Sequence, residues 1–278
     1  MTTITFLGTG GGRFATIYQT RATGGIYIND GVRIHLDPGP SALMNMARAK
    51  IDPTRTDAIL ISHCHPDHYA DAEMLIEGMS KGGLKRAGVL LGSRSVLDSF
   101  PNFDPAISFY HRSLPDRVIV AQPGDESVIK GMNVQCTPTH HSDPTALGFR
   151  FFSSNGIISY TGDTELTPDI ITAHQGSRLL IVNLTRPLRS KVPMHMCTED
   201  ASALIGEIRP EMAILTHFGL RLIRDGVKVQ TKFIEERSGV RTIGAEDLMS
   251  VSIGRIIRPR RFFSGKRPDR LETESFDF

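Results

Sequence analysis

The sequence predicts an α/β or α+β layered domain. Short β-branched runs alternate with helical stretches along most of the chain. Hairpin signals interrupt that alternation, so the sheet is not purely parallel. No internal repeat or low-complexity block points elsewhere.

Thr3–Phe6, Gly25–Ile28 and Arg33–Leu36 read as strands, with Asn29-Asp30-Gly31 as the turn between the last two. Pro40–Ala49 reads as a helix with Pro40 in its first turn and Leu43, Met46 and Ala47 on one face. Ala58–Ile61 is a short buried strand, and Asp71–Met79 a helix ended near Gly82-Gly83. Val89–Leu91, Val118–Val120 and Val134–Cys136 are candidate strands. Leu147–Phe152 and Gly156–Tyr160 flank Ser153-Ser154-Asn155 as a hairpin. Leu179–Asn183 and Met212–Leu215 are strands. Between them Glu199–Glu207 is a helix capped by Thr198 and stopped before Pro210. Val229–Arg237 is a final helix closed by Gly239. Residues 1–254 are expected to form one domain. The Arg-rich stretch 255–278 is expected to be a basic extension, solvated or in contact with a second subunit; an RNA-contacting arm with Phe262 and Phe263 stacking is the sharper possibility.

Composition narrows the function classes. The chain has 278 residues, 40% hydrophobic and 22% charged, with no Trp and a formal net charge of +2. These are ordinary globular values, and a chain this long needs no disulfide or metal merely to fold. No apolar run approaches the roughly 18 residues of a membrane span, and the first residues lack a basic, cleavable leader pattern. Three cysteines, Cys64, Cys136 and Cys197, fit reduced thiols in a cytoplasmic protein better than a disulfide framework. Outside the tail the charge is close to balanced, without the basic excess that marks nucleic-acid binding.

The strongest chemical signal is His63-Cys64-His65-Pro66-Asp67-His68, directly after the Ala58–Ile61 strand. His63 and His65 lie two apart, so an extended segment points both rings to one side. Asp67 and His68 fall where the chain turns into the next helix. One tetrahedral ion cannot easily use all four alongside ligands from elsewhere, whereas two adjacent ions can. Three other strand ends offer partners: His140-His141 after Val134–Pro138, Asp163 after Gly156–Tyr160, and His217 after Met212–Thr216. Active-site residues of layered α/β folds gather at such ends.

With these residues in view, the chain resembles the metallo-β-lactamase superfamily over roughly residues 3–220. His63-x-His65-x-Asp67-His68, His141, Asp163 and His217 match the family's ordered metal motifs. Leu7-Gly8-Thr9-Gly10-Gly11-Gly12 and Asp37-Pro38-Gly39 match two further hallmarks. The resemblance implies a four-layer αββα sandwich with metals at one edge of its two sheets. It implies two divalent ions per chain, zinc by default, with Mn or Fe accepting the same ligands. His63, His65 and His141 would hold the first ion, Asp67, His68 and His217 the second, and Asp163 would bridge them. His141-Ser142-x-Pro144-x-x-x-Gly148 resembles the ligand motif of the nuclease branch, while His140 stays open as the ligand instead.

Two such cations lower the pKa of a water between them, and the hydroxide attacks phosphorus or a carbonyl carbon. Asp67 is placed to orient that water or take its proton. Pro193-Met194-His195-Met196-Cys197-Thr198 resembles the His-x-Thr region of tRNase Z and related phosphodiesterases, with one extra residue. This implies that His195 is general acid or phosphate clamp. His35, His111 and His174 read as structural or surface residues, Cys64 as a packed thiol, and the glycine run as a tight turn beside the metals. Nothing fixes Arg21 or Arg186 at a phosphate.

The long Gly/Pro-rich arm of true tRNase Z enzymes has no room here, since only three residues join Phe152 to Gly156. The expectation is therefore a phosphodiesterase acting on a small, cyclic or nucleotide phosphodiester. An RNA endonuclease, a thioester or lactone hydrolase, and a metal-bound binding or sensor module are the other readings. Related phosphodiesterases are often dimers, which makes a homodimer an expectation by resemblance alone. No membrane partner is expected.

Overall fold

The computed structural model describes residues 1–99, 101–102 and 104–262. Fifteen strands among these form two sheets. The first is built from β1 (Thr2–Phe6), β2 (Ile26–Asn29), β3 (Arg33–Leu36), β4 (Ala58–Ile61), β5 (Val89–Ser93), β6 (Arg117–Ala121), β14 (Ser250–Ile253) and β15 (Ile257–Arg260). The second is built from β7 (Glu126–Ile129), β8 (Met132–Thr137), β9 (Gly148–Ser153), β10 (Gly156–Tyr160), β11 (Leu179–Asn183), β12 (Met212–Thr216) and β13 (Thr242–Gly244). Their orders are β15-β14-β1-β2-β3-β4-β5-β6 and β13-β12-β11-β10-β9-β8-β7. Each sheet is part antiparallel and part parallel: β3 to β6 run parallel in one, β10 to β13 in the other.

The layers follow from side-chain alternation. Along β4, Leu60 faces the second sheet while Ile59 and Ile61 face helices Ala42–Arg48 and Ala72–Met79. Along β11, Leu179 and Ile181 join the same inter-sheet core, whereas Leu180 and Val182 meet helices Thr198–Ile208 and Val227–Ser238. A strand buried on both faces must be apolar throughout, which explains the unbroken runs Ala58–Ile61 and Leu179–Val182. The result is the expected αββα sandwich.

Most expected elements form within a residue or two of their positions. The helix expected from Pro40 begins at Ala42, because Ser41 takes a left-handed backbone (φ 75°). The cap of helix Thr198–Ile208 is Cys197, not Thr198. Asp200 accepts from Cys197 N and Sγ, and Thr198 Oγ1 instead donates to Gln230. The expected boundary at 254 falls inside a hairpin. Ile257–Arg260 pairs antiparallel with β14, and Ile257 enters the inter-sheet core. Its arginines disguised a strand that alternates one face in and one face out, and Pro259 sits where an edge strand tolerates it. Phe263 and the rest of the expected arm lie outside the described residues. The described residues hold no helix long and apolar enough to cross a membrane.

Candidate metal centre

Strand ends deliver the side chains. Beyond β4 the chain bends at Cys64 and is extended again at His65 (φ −78°, ψ 137°). Pro66 then opens the helix Pro66–Tyr69, which carries Asp67 and His68 in one turn. His141 arrives on the loop after β8, Asp163 just past β10, and His217 at the end of β12. His217 has φ 58°, and its ring lies against Gly11, where any Cβ would overlap it. The glycine run is not a tight turn: Gly10 bridges to Phe218, and Gly11 is needed because the His217 ring packs directly on its backbone.

The donor atoms form adjoining sets. His63 Nε2 lies 2.9 Å from His65 Nδ1, and His65 Nδ1 lies 3.1 Å from His141 Nε2. His68 Nε2 and His217 Nε2 are 3.1 Å apart, with Asp67 Oδ2 3.3 Å from His217 and 3.7 Å from His68. Asp163 Oδ2 stands 3.2 Å from His217 and 3.7 Å from His68, and it also groups with His63 and His141. His140 instead turns outward to Asp169 at 3.0 Å, so the structure brings His141 into the cluster and leaves His140 out.

The outer ring nitrogens explain why the inner ones converge. His63 Nδ1 meets Ser62 Oγ at 2.9 Å, and His68 Nδ1 meets Asp37 Oδ2 at 2.9 Å. His141 Nδ1 meets the Met194 carbonyl at 3.1 Å, and His217 Nδ1 meets Thr185 Oγ1 at 3.1 Å. A carbonyl can only accept, so His141 carries its proton on Nδ1 and leaves Nε2 bare. The Asp37 carboxylate likewise accepts from His68 Nδ1, which turns Nε2 toward His217. Asn183 Nδ2 donates to Asp163 Oδ1 at 2.7 Å and holds that carboxylate. Asp143 accepts from the Cys64 backbone and from Ser95 and Thr145, pinning the His63–His68 loop. Asn183, Thr185 and Asp143 carried no signal in the sequence strong enough to single them out, although Asn183 is the polar residue closing an apolar strand.

Charges are balanced within this buried group. Burial opposes a charge on His68, but Asp67, Asp163 and Asp37 together outweigh it and hold its pKa well above the usual value. Burial likewise opposes the carboxylates, yet His217 and His68 hold Asp163 well below the carboxylate range, and Asp67 falls too. Burial and then neighbouring His68 push His63 well down. Burial thus holds the His63 ring neutral, while His68 is held in its charged form among ionised carboxylates.

His195 borders the cluster, its ring 5.0 Å from that of His141 and its Nδ1 3.9 Å from Asp163. Burial lowers it to about 4, and Nδ1 has no hydrogen-bond partner. It lines a cleft of about 480 Å³ together with Gly12, Arg13, Phe14, Asp67 and Asp163. The remaining candidates behave as structural groups. His35 and His174 are fully buried, His111 pairs with Glu73, and burial raises Cys64 to about 11. Arg21 bonds Thr9 and the Ala245 carbonyl over the Phe218 ring, and Arg186 bonds Ser190.

The cluster fits divalent metal. Ligands of a tetrahedral ion at about 2.0–2.1 Å sit roughly 3.3 Å from one another. The donor atoms of each group lie within 4.8 Å of one another, and three imidazole nitrogens meeting at 2.9–3.1 Å cannot all be satisfied by hydrogen bonds among themselves.

Comparison with known proteins agrees. A model of the β-lactamase superfamily domain matches residues 32–218. The uncharacterised protein MJ1374 of Methanocaldococcus jannaschii is 40% identical over 245 residues, 87% of this chain and 91% of that one. Ribonuclease Z of Methanosarcina acetivorans is 30% identical over 150 residues, 54% of this chain and 48% of that enzyme. The chain thus spans about half of that relative's length. The crystal structure of the metallo-β-lactamase fold protein YhfI from Bacillus subtilis superposes with a TM-score of 0.74 at 20% identity, covering 90% of this chain and 98% of that one. Family match, sandwich and strand-end His/Asp cluster together make this chain a member of the metallo-β-lactamase superfamily, a family of metal-dependent hydrolases.

Proposed function

We propose that the protein is a dinuclear metal-dependent phosphodiesterase acting on a small, cyclic or nucleotide phosphodiester. The observation that carries this reading is His195: an imidazole at the mouth of a seven-residue His/Asp cluster, facing an open cleft. His63, His65 and His141 would hold one ion, Asp67, His68 and His217 the other, and Asp163 both. Zinc suits this His-rich set, and Mn or Fe remain compatible with it. Bound there, the ions supply charge neutralisation at the phosphoryl oxygens and acidify a nucleophilic water.

The chain's own residues do the rest. Asp67 Oδ2 accepts the Gly12 N–H at 2.8 Å, which fixes the carboxylate and leaves its other oxygen to orient the nucleophile or take its proton. His195 contacts the phosphoryl group. Burial keeps it neutral near pH 7, so it donates a proton to the leaving oxygen only once the substrate's negative charge raises its pKa. Asn183 and Asp37 keep Asp163 and His68 aligned as charge develops.

The ribonuclease Z relative supports phosphodiester chemistry and favours RNA cleavage as a second reading. Against a large RNA, β9 and β10 join through a tight turn, with Ser153 paired to Gly156 and no arm between them. The test is metal counting on purified protein with bis(p-nitrophenyl) phosphate assayed beside a thioester and a lactone. About two ions per chain with phosphodiester turnover is expected. Turnover of carboxyl esters alone would move the protein to another branch and remove the role of His195. Full occupancy with no turnover of any ester would favour a binding or sensor module.

A further inference from the structure

Beside the metal cleft lies a second hollow of about 320 Å³, and the two share Gly12, Arg13 and Phe14 as a common wall. Four arginines line this hollow: Arg13, Arg186, Arg221 and Arg224. Among the described residues, Asp225 is the only acid on its lining. Helix Leu220–Asp225 sets Arg221 and Arg224 three residues apart, on one side. Arg186 is committed to the Ser190 carbonyl and hydroxyl at 3.1 Å each, so it builds the wall. Arg221 is 3.8 Å from Asp225, a loose exposed pair. Arg13 and Arg224 have no ion-pair partner among the described residues. Like charges gathered around a concavity repel one another in the free protein, and an anion placed among them relieves that repulsion.

The floor connects this hollow to the chemistry. Thr185 lines it, and the same hydroxyl meets His217 Nδ1 at 3.1 Å. An anion seated among the arginines is thus one side chain away from the metal ligands.

We infer that this hollow is a second anion site, in which Arg13, Arg221 and Arg224 take a further phosphate of the substrate while the scissile phosphodiester sits at the metals. The inference rests on the phosphodiesterase reading and sharpens it: the preferred substrate is a phosphodiester that carries a second phosphate group, such as a 5′-phosphorylated dinucleotide. Guanidinium groups suit this ligand because they fork onto phosphate oxygens and keep their charge at any working pH.

The experiment compares the dinucleotides pApA and ApA on the metal-replete enzyme, with bis(p-nitrophenyl) phosphate alongside. A charge-assisted phosphate contact is worth roughly a tenfold preference or more. Wild type is expected to favour pApA by at least about tenfold in kcat/KM, mostly through KM. Arg224→Gln and Arg13→Gln should each pull that ratio toward one. Arg117→Gln removes a charge on edge strand β6, outside the lining of the hollow, and should leave the ratio as in wild type. A wild-type ratio near one, or a ratio unmoved by both variants, overturns the site. Failure of the enzyme on every phosphodiester would instead overturn the reaction assigned above. Equilibrium binding of pApA and ApA then decides the site by itself: tighter binding of pApA, lost in Arg224→Gln, upholds it, and equal binding removes it.

Discussion

Asp37 offers the sharpest test of how the fold sets its proposed metal ligands. One of its oxygens accepts the Ser62 N–H at 2.7 Å. The other accepts from His68 Nδ1 at 2.9 Å, Tyr160 Oη at 2.8 Å and Ser62 Oγ at 2.8 Å. The change Asp37→Asn keeps the shape and replaces one acceptor by a donor. If the amide oxygen stays on Ser62 N, the new NH₂ faces His68 Nδ1, which must become an acceptor. The proton of the ring then moves to Nε2, the atom that points at His217 and Asp67, and a protonated nitrogen cannot ligate. Loss of such an outer partner costs about 10- to 100-fold in metal affinity, or roughly 1.4–2.7 kcal/mol. The effect should fall on one ion: the set containing His68 weakens, while His63, His65 and His141 keep theirs. Titration against a chelator of known affinity, with metal content counted at each step, reads this directly. The opposite amide orientation would leave His68 unchanged and set NH₂ against the fixed Ser62 N–H. That costs about 1–3 kcal/mol of stability and would appear as a lower Tm with both ions retained. Such a result, or equal weakening of both ions, refutes the tautomer argument.

Other perturbations separate further roles. His195→Ala should retain both ions and lower kcat by roughly 10²- to 10⁴-fold; loss of metal on quantitation would make it a ligand instead, since it already groups with His141 and Asp163. Asp163→Ala should lose metal and turnover together, and full occupancy by elemental analysis would deny that it serves both ions. Gly11→Ala should displace His217, because the added methyl overlaps its ring; a crystal structure with His217 unmoved and normal metal content would contradict this. Acid should destabilise the fold through His174, which burial, with Arg150 adding, holds down to about 3. Its folded pKa lies below the unfolded value of about 6.5, so its neutral form contributes stability that is complete above pH 6.5 and lost as pH falls toward 3. The full span is worth up to roughly 5 kcal/mol. Urea midpoints from pH 7.5 to 4 should fall more steeply for wild type than for His174→Leu, in which protonation of the metal ligands is unchanged; parallel slopes would refute the assignment.

What was legible in the chain follows from how far each feature depends on its neighbours in sequence. Ala58–Ile61 and Leu179–Asn183 announce themselves because burial on both faces leaves no polar position. The candidate ligands stood out because they follow strand ends, and His63, His65, Asp67 and His68 share one short segment after β4. Strand β15 was hidden because its partner face is supplied by β14 and its exposed face is arginine, so composition pointed to a tail. The orienting groups were hidden for a deeper reason. Asn183 reaches Asp163 across the β10–β11 pairing, Thr185 reaches His217 across β11 and β12, and the Met194 carbonyl reaches His141 across 53 residues. A backbone carbonyl has no sequence signature, and Ser, Thr and Asn at strand ends are ordinary turn residues until the partner strand is known. The same holds for the arginine hollow: Arg13 and Arg224 are unremarkable surface residues in the sequence, and only the fold brings them to one lining. Chemistry that requires specific atoms was therefore visible early, whereas the groups that aim those atoms, and those proposed to choose the substrate, emerge only from the fold.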